Sequence, residues 1–151
     1  MKHLPWIVVS GLLALHPGAF AVDLPYVSEP MLVATQMVSS AADPRSYRID
    51  AARHIYASYA PRIYKGRLPP LIHAVVVVES TVDETGLVRD VKVVRGPSHA
   101  PDVTVAVMEM IRRAGPMPLH NRIAGSVKFV EIWLVHKDGR FQLDALTEGQ
   151  D

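Results

Sequence analysis

The chain has 151 residues, with 16 Lys and Arg against 15 Asp and Glu, a formal net charge of +1 at pH 7, and no cysteine. So even a balance excludes general nucleic-acid binding, which needs a net basic face. The missing cysteine excludes disulfides, thiol nucleophiles, cysteine-ligated metals and lipid-bearing cysteines, and the chain is long enough for one domain that holds together by packing alone.

The N-terminus has the three parts of an export signal: Lys2, an apolar run from Leu4 to Leu15, and Pro17-Gly18 ahead of Ala19-Phe20-Ala21. Small residues at Ala19 and Ala21 predict cleavage before Val22. The apolar run, Leu4 to Leu15, is shorter than the roughly 20 residues that a bilayer span needs, and an uncleaved anchor is the alternative. Loss of Lys2 takes 16 basic residues to 15 against 15 acidic, which leaves the mature chain neutral. Residues 22–42, with Pro25 and Pro30 and no helical or alternating period, read as an extended leader, and residues 43–151 as the domain.

Asp43-Pro44 is a helix start, an N-cap acid followed by proline at the first helical position. Tyr47, Ala51, Ile55 and Tyr59 recur every fourth residue, with Ala52 and Tyr56 beside them, so an amphipathic helix runs to about Tyr59 and ends at Pro61. Lys65 to Pro70 is a loop. Two β-branched runs, Ile72 to Val82 and Leu87 to Arg95, flank Asp83-Glu84-Thr85-Gly86 and predict a hairpin. Pro101 opens a second helix with Val103, Ala106, Val107, Met110, Ile111 and Ala114 on one face, and Gly115-Pro116 stop it. Val127 to His136 is the last strong strand, and Asp138-Gly139 is a tight-turn signal leading into Phe141 to Leu146.

Helix, hairpin, helix, strand gives a two-layer α+β domain with both helices on one face of an antiparallel three-stranded sheet. The order that makes every neighbour antiparallel is 2-1-3, with the first hairpin strand central. Phe141 to Leu146 can fold back as a fourth strand and block the outer edge of the last strong one. Both sheet faces are apolar: Val75 and Val77 lie opposite Ala74, Val76 and Val78, and Phe129, Trp133 and Val135 opposite Val130, Ile132 and Leu134. The face not packed by helices is covered by the leader around Met31 to Val38, buried in a homodimer, or open to a partner.

The run from Val82 to Arg95 resembles the hairpin of TonB-family C-terminal domains, V-D-x-x-G-x-V-x-x-V-x-V-V, with Gly86 at the turn glycine. Ala106 to Pro118, with Arg112-Arg113 ahead of Pro116, is similar to the family's helix and its ending, and Val127 to Val135 to its last strand. The leading helix is also similar to that of TolA C-terminal domains. This resemblance, over roughly Tyr47 to Leu146, implies a periplasmic domain that binds an outer-membrane receptor peptide by strand addition at the sheet edge. The chain departs from the family's energy transducers in carrying a cleavable signal and an Ala114 where an aromatic often follows the Arg pair. It also lacks a long Pro/Lys-rich spacer, since residues 22–42 reach at most about 70 Å.

The expectation is therefore a non-enzymatic module of the cell envelope, exported to the periplasm, with an envelope protein or receptor peptide as partner. Its working surfaces would be the edge of the last strand and the face carrying Phe129 and Trp133, giving Val127, Phe129, Glu131, Trp133 and Val135 as contacts. Arg53, Arg62, Lys65 and Arg67 belong to a basic stretch that would meet an anionic surface, against the simpler reading of a solvated helix face. Membrane contact would be peripheral or through an uncleaved N-terminus, and an anchored, inner-membrane energy transducer is the alternative function. A hydrolase or metal-dependent enzyme is disfavoured. The histidines at 54, 73, 99, 120 and 136 lack ligand spacing, no Gly-x-Ser-x-Gly occurs, and no glycine-rich phosphate loop is present, so no catalytic residue, metal or cofactor is expected.

Overall fold

The computed structural model describes residues 36–150. The export signal, its cleavage residues Ala19, Ala21 and Val22, and the leader up to residue 35 lie outside the described residues.

Asp43 caps α1 (Pro44–Ser58) by accepting from the amides of Arg45 at 2.9 Å and Ser46 at 3.0 Å. Tyr47, Ala51, Ala52 and Ile55 form its buried stripe. Pro61 enters a short 3-10 turn, Ala60–Arg62. In the hairpin of β1 (Ala74–Val82) and β2 (Val88–Arg95), the Asp83 carboxylate organises the turn by accepting from the amides of Thr85 at 2.8 Å and Leu87 at 3.0 Å. Gly86 has φ +82°, and a Cβ there would overlap the carbonyl of Met117, whose own amide donates to Gly86 at 2.8 Å. α2 (Pro101–Ala114) ends against α1, where the Tyr59 hydroxyl donates to the Met110 carbonyl at 2.9 Å and His54 Nε2 lies 2.7 Å from the Ala114 carbonyl. The second contact uses a carbonyl that the helix end would otherwise leave unpaired.

β3 (Val127–Val135) pairs along its whole length with β1, from Val82↔Val127 to Ala74↔Val135. β4 (Phe141–Leu143) folds back on it through the turn at Gly139, φ +84°. The main sheet therefore has four antiparallel strands in the order β2-β1-β3-β4. The expected three-stranded sheet is corrected to this extent: its 2-1-3 order stands, and the fold-back after Asp138-Gly139 adds the fourth strand. Only Phe141–Leu143 pair, because the chain turns into a 3-10 segment at Asp144–Leu146.

A second, unexpected pairing is parallel and two residues long, joining Val38–Ser39 to Leu119–His120. Ser39 and Ala41 are buried, and Ser39 donates to Asp50 of α1 at 2.6 Å. The end of the leader is thus packed against the domain rather than extended away from it.

Both helices cover one sheet face. α1 packs over β3 and α2 over β1 and β2, and the core takes Val76, Val78 and Val82 from β1 with Val127, Phe129 and Trp133 from β3. Trp133 stacks on Phe141 with ring centroids 4.6 Å apart, and Tyr47 meets Phe129 edge-on at 5.6 Å. Such aromatic pairs contribute about 0.5–1.5 kcal/mol beyond the area they bury.

Candidate functional site

Period-two alternation puts Val127, Phe129, Glu131, Trp133 and Val135 on the same face of β3, and that face lies beneath the helices. All five are buried, Trp133 completely. The face carrying Phe129 and Trp133 is therefore core, and a partner reaches these residues only through their strand's backbone. The sequence left this open because both faces of β1 and β3 are equally apolar.

Glu131 is a carboxylate among aromatics, and it is buried because its acceptor capacity is used. Arg48 reaches it from α1 with two bonds, Nη2 to Oε1 at 2.7 Å and Nε to Oε2 at 3.1 Å, and also meets Asp144 at 2.6 Å. The amides of Ile132 at 2.9 Å and Ala145 at 3.3 Å complete the set. Hydrogen bonding to Glu131 holds the Arg48 guanidinium above its ordinary pKa. Arg48 does not stand out in the sequence, where it is one of several basic residues on the first helix. The signal was its place four residues before Ala52 and eight before Tyr56, at the margin of the buried stripe.

The backbone of β3 has an asymmetric set of neighbours. One side pairs with β1 throughout, whereas the other pairs with β4 only over Trp133–Val135. His136 donates to Arg140 across the β3-β4 turn, and the Ile132 amide is held by the Glu131 carboxylate, so even-numbered amides face away from β1. By strand period the amides of Lys128 and Val130 point to that same outer side, where no strand pairs with them among the described residues. The fourth strand thus occupies the upper part of the edge and leaves the lower part.

β4 is itself closed off. Tyr64 donates to the Phe141 carbonyl at 2.9 Å, and buried Gln142 donates to the carbonyls of Tyr64 at 2.9 Å and Gly66 at 2.7 Å while accepting from Thr147 and Glu148. On the sheet face away from the helices, Val75, Val77, Ile132 and Leu134 are half-buried and Val130 is exposed. The described end of the leader, Gln36 to Val38, does not reach that face: Gln36 bonds to the carbonyls of Thr85 and Met117, and Val38 pairs with Leu119.

The four basic candidates stand apart in role. Arg53 pairs with Asp50 at 3.0 Å, Arg62 donates to the Gly139 carbonyl at 2.9 Å, Arg67 donates to the Gln150 carbonyl, and Lys65 is exposed. The histidines are brought together only in part. His73 and His99 meet edge-on at 5.6 Å, and among the described residues no group of three or more His, Asp or Glu is placed to hold a metal ion. Among the same residues no helix is long and apolar enough to cross a membrane.

No family model matches the sequence, and no curated protein or solved structure is significantly similar to it.

Proposed function

We propose that this domain is a non-enzymatic interaction module of the cell envelope that accepts an extended peptide as an added strand along the outer edge of β3. The observation that carries the reading is the half-paired edge: strand neighbours at Trp133–Val135 and none at Val127–Val130 among the described residues. Added strands gain affinity from backbone hydrogen bonds and specificity from alternate side chains. Lys128 and Val130, with outward amides, would supply the first, and exposed Val130 and half-buried Ile132 the second.

The other open edge, β2, is a poorer template. Its register with β1 shifts between Val77 and Val78 and again between Thr81 and Val82, and Arg89, Asp90, Lys92 and Arg95 line it. Irregular register and charge are the devices by which edges resist strand addition. β3 has neither break nor bulge in its register with β1. The resemblance of Val82–Arg95 to TonB-family hairpins adds a partner class, a short receptor peptide in the periplasm.

Val130→Pro tests the reading. Proline removes the outward amide but no bond to β1, a position where a strand tolerates it. The variant is expected to fold, and to lose capture of a crosslinked partner from an envelope fraction that the full wild-type chain retains. Equal capture by a folded Val130→Pro chain would sink strand addition at this edge.

A further inference from the structure

The end of the sheet where β1 begins and β2 and β3 finish carries an apolar ridge. Leu71 is 90% exposed there, whereas none of the other exposed large apolar side chains among the described residues exceeds 58%. Single exposed leucines are ordinary, but this one belongs to a run, Pro69-Pro70-Leu71-Ile72, in which Pro70 is exposed and Pro69 and Ile72 are half-buried. The two prolines fix their own φ, and His99 braces the next residue with Nε2 2.8 Å from the His73 carbonyl. The ridge is therefore held out from the domain by a stiff support.

Clefts flank the ridge on both sides. Leu71, Ile72 and His73 meet His136 and Lys137 in one, and Ile72 and His73 meet Arg95, Ser98 and His99 in the other. Among the described residues no Asp or Glu lines either cleft. The Asp138 carboxylate is taken up by Arg140 at 2.7 Å and His136 at 2.9 Å, and Asp102 lines a separate crevice with Arg62 on the helix side. Arg95 and Lys137 are exposed and have no acidic partner among the described residues.

We propose that this end of the domain docks on a bilayer surface containing anionic phospholipid. Leu71 and Ile72 enter the boundary between headgroups and acyl chains, and Arg95 and Lys137 meet lipid phosphates on either side. Apolar insertion and attraction to anionic lipid reinforce each other in such interfacial contacts. A narrow convex ridge offers much less than the roughly 800 Å² per partner of an ordinary protein interface, whereas a deformable lipid phase can surround it. The unpaired part of the β3 edge, Val127–Val130, lies about 20 Å away along the strand, so a docked domain keeps it clear of the headgroups.

The test places one indole on the ridge of the full chain, Leu71→Trp, in a Trp6→Phe background where wholly buried Trp133 gives a constant signal. Leu87→Trp in the same background is the reference, because Leu87 is exposed beside the hairpin turn at the far end of the sheet. Vesicles are phosphatidylcholine brominated along its acyl chains, with or without phosphatidylglycerol. The anionic vesicles are expected to quench the indole at position 71 saturably and the one at position 87 not at all. High salt or omission of phosphatidylglycerol should abolish the quenching. Arg95→Gln with Lys137→Gln should raise the lipid concentration needed by about twenty-five-fold, about fivefold for each cation. The proposal is overturned if position 71 is quenched no more than position 87, if neutral vesicles quench it equally, or if the doubly neutralised chain responds as its parent does. Attachment through Leu4 to Leu15 alone would give the first of these results.

Discussion

Glu131 is stable inside the domain only because Arg48 comes with it. Removing one member of a buried ion pair leaves a desolvated charge, whereas replacing both with apolar groups is often neutral. Arg48→Leu is expected to cost about 3 kcal/mol, the low end for such pairs because the Arg48 side chain is one quarter exposed. Arg48→Leu with Glu131→Leu should recover most of that loss in urea unfolding, and a double variant no more stable than the single one would show that the carboxylate has a further role. Asp83 gives a pH-dependent counterpart. Its bonds from Thr85, Leu87 and Arg89, the Thr85 hydroxyl first, hold its carboxyl at about 2 in the folded chain against 3.8 ordinarily. A depressed folded pKa means the contribution is complete above about 4 and disappears as pH falls toward 2. Thermal midpoints should drop across that window, and Asp83→Asn should flatten the drop. An unchanged acid limb would mean the turn adds nothing.

At the scale of elements, α1 depends on its first turn. Asp43→Ala frees two amides and is expected to destabilise the domain, read as a lower urea midpoint with unchanged slope. Helix and strand limits were legible because local signals set them: Asp43-Pro44 and Pro101 start the helices, Gly115-Pro116 stop the second, and the Asp83–Gly86 turn divides the hairpin. Gly86 was readable as a turn glycine, but not the reason that no Cβ fits, which is the Met117 backbone arriving from 31 positions away. The two-residue parallel pair was illegible for the same reason, since Val38–Ser39 and Leu119–His120 are too short to carry a period and meet only through the tertiary fold. Phe141 to Leu146 was legible as a fold-back but not in its length, which is cut short where Asp144 turns toward Arg48.

For the whole molecule, the candidate site was half legible. The sequence located it on β3, through the resemblance and the turn that follows, yet placed contacts on side chains that the helices cover. Two apolar faces of equal quality cannot reveal which one packs, and Glu131, expected as a partner contact beside Phe129 and Trp133, is instead taken up by Arg48. The proposed strand addition rests on the outward amides of Lys128 and Val130, which no strand pairs among the described residues. Residue-resolved hydrogen exchange on the full chain tests this most directly. Fast exchange is expected at Lys128 and Val130 beside slow exchange at Leu134, with protection of the first two when the captured partner is added. Free-chain protection at Lys128 and Val130 equal to that at Leu134 would contradict it, because the edge would already be filled.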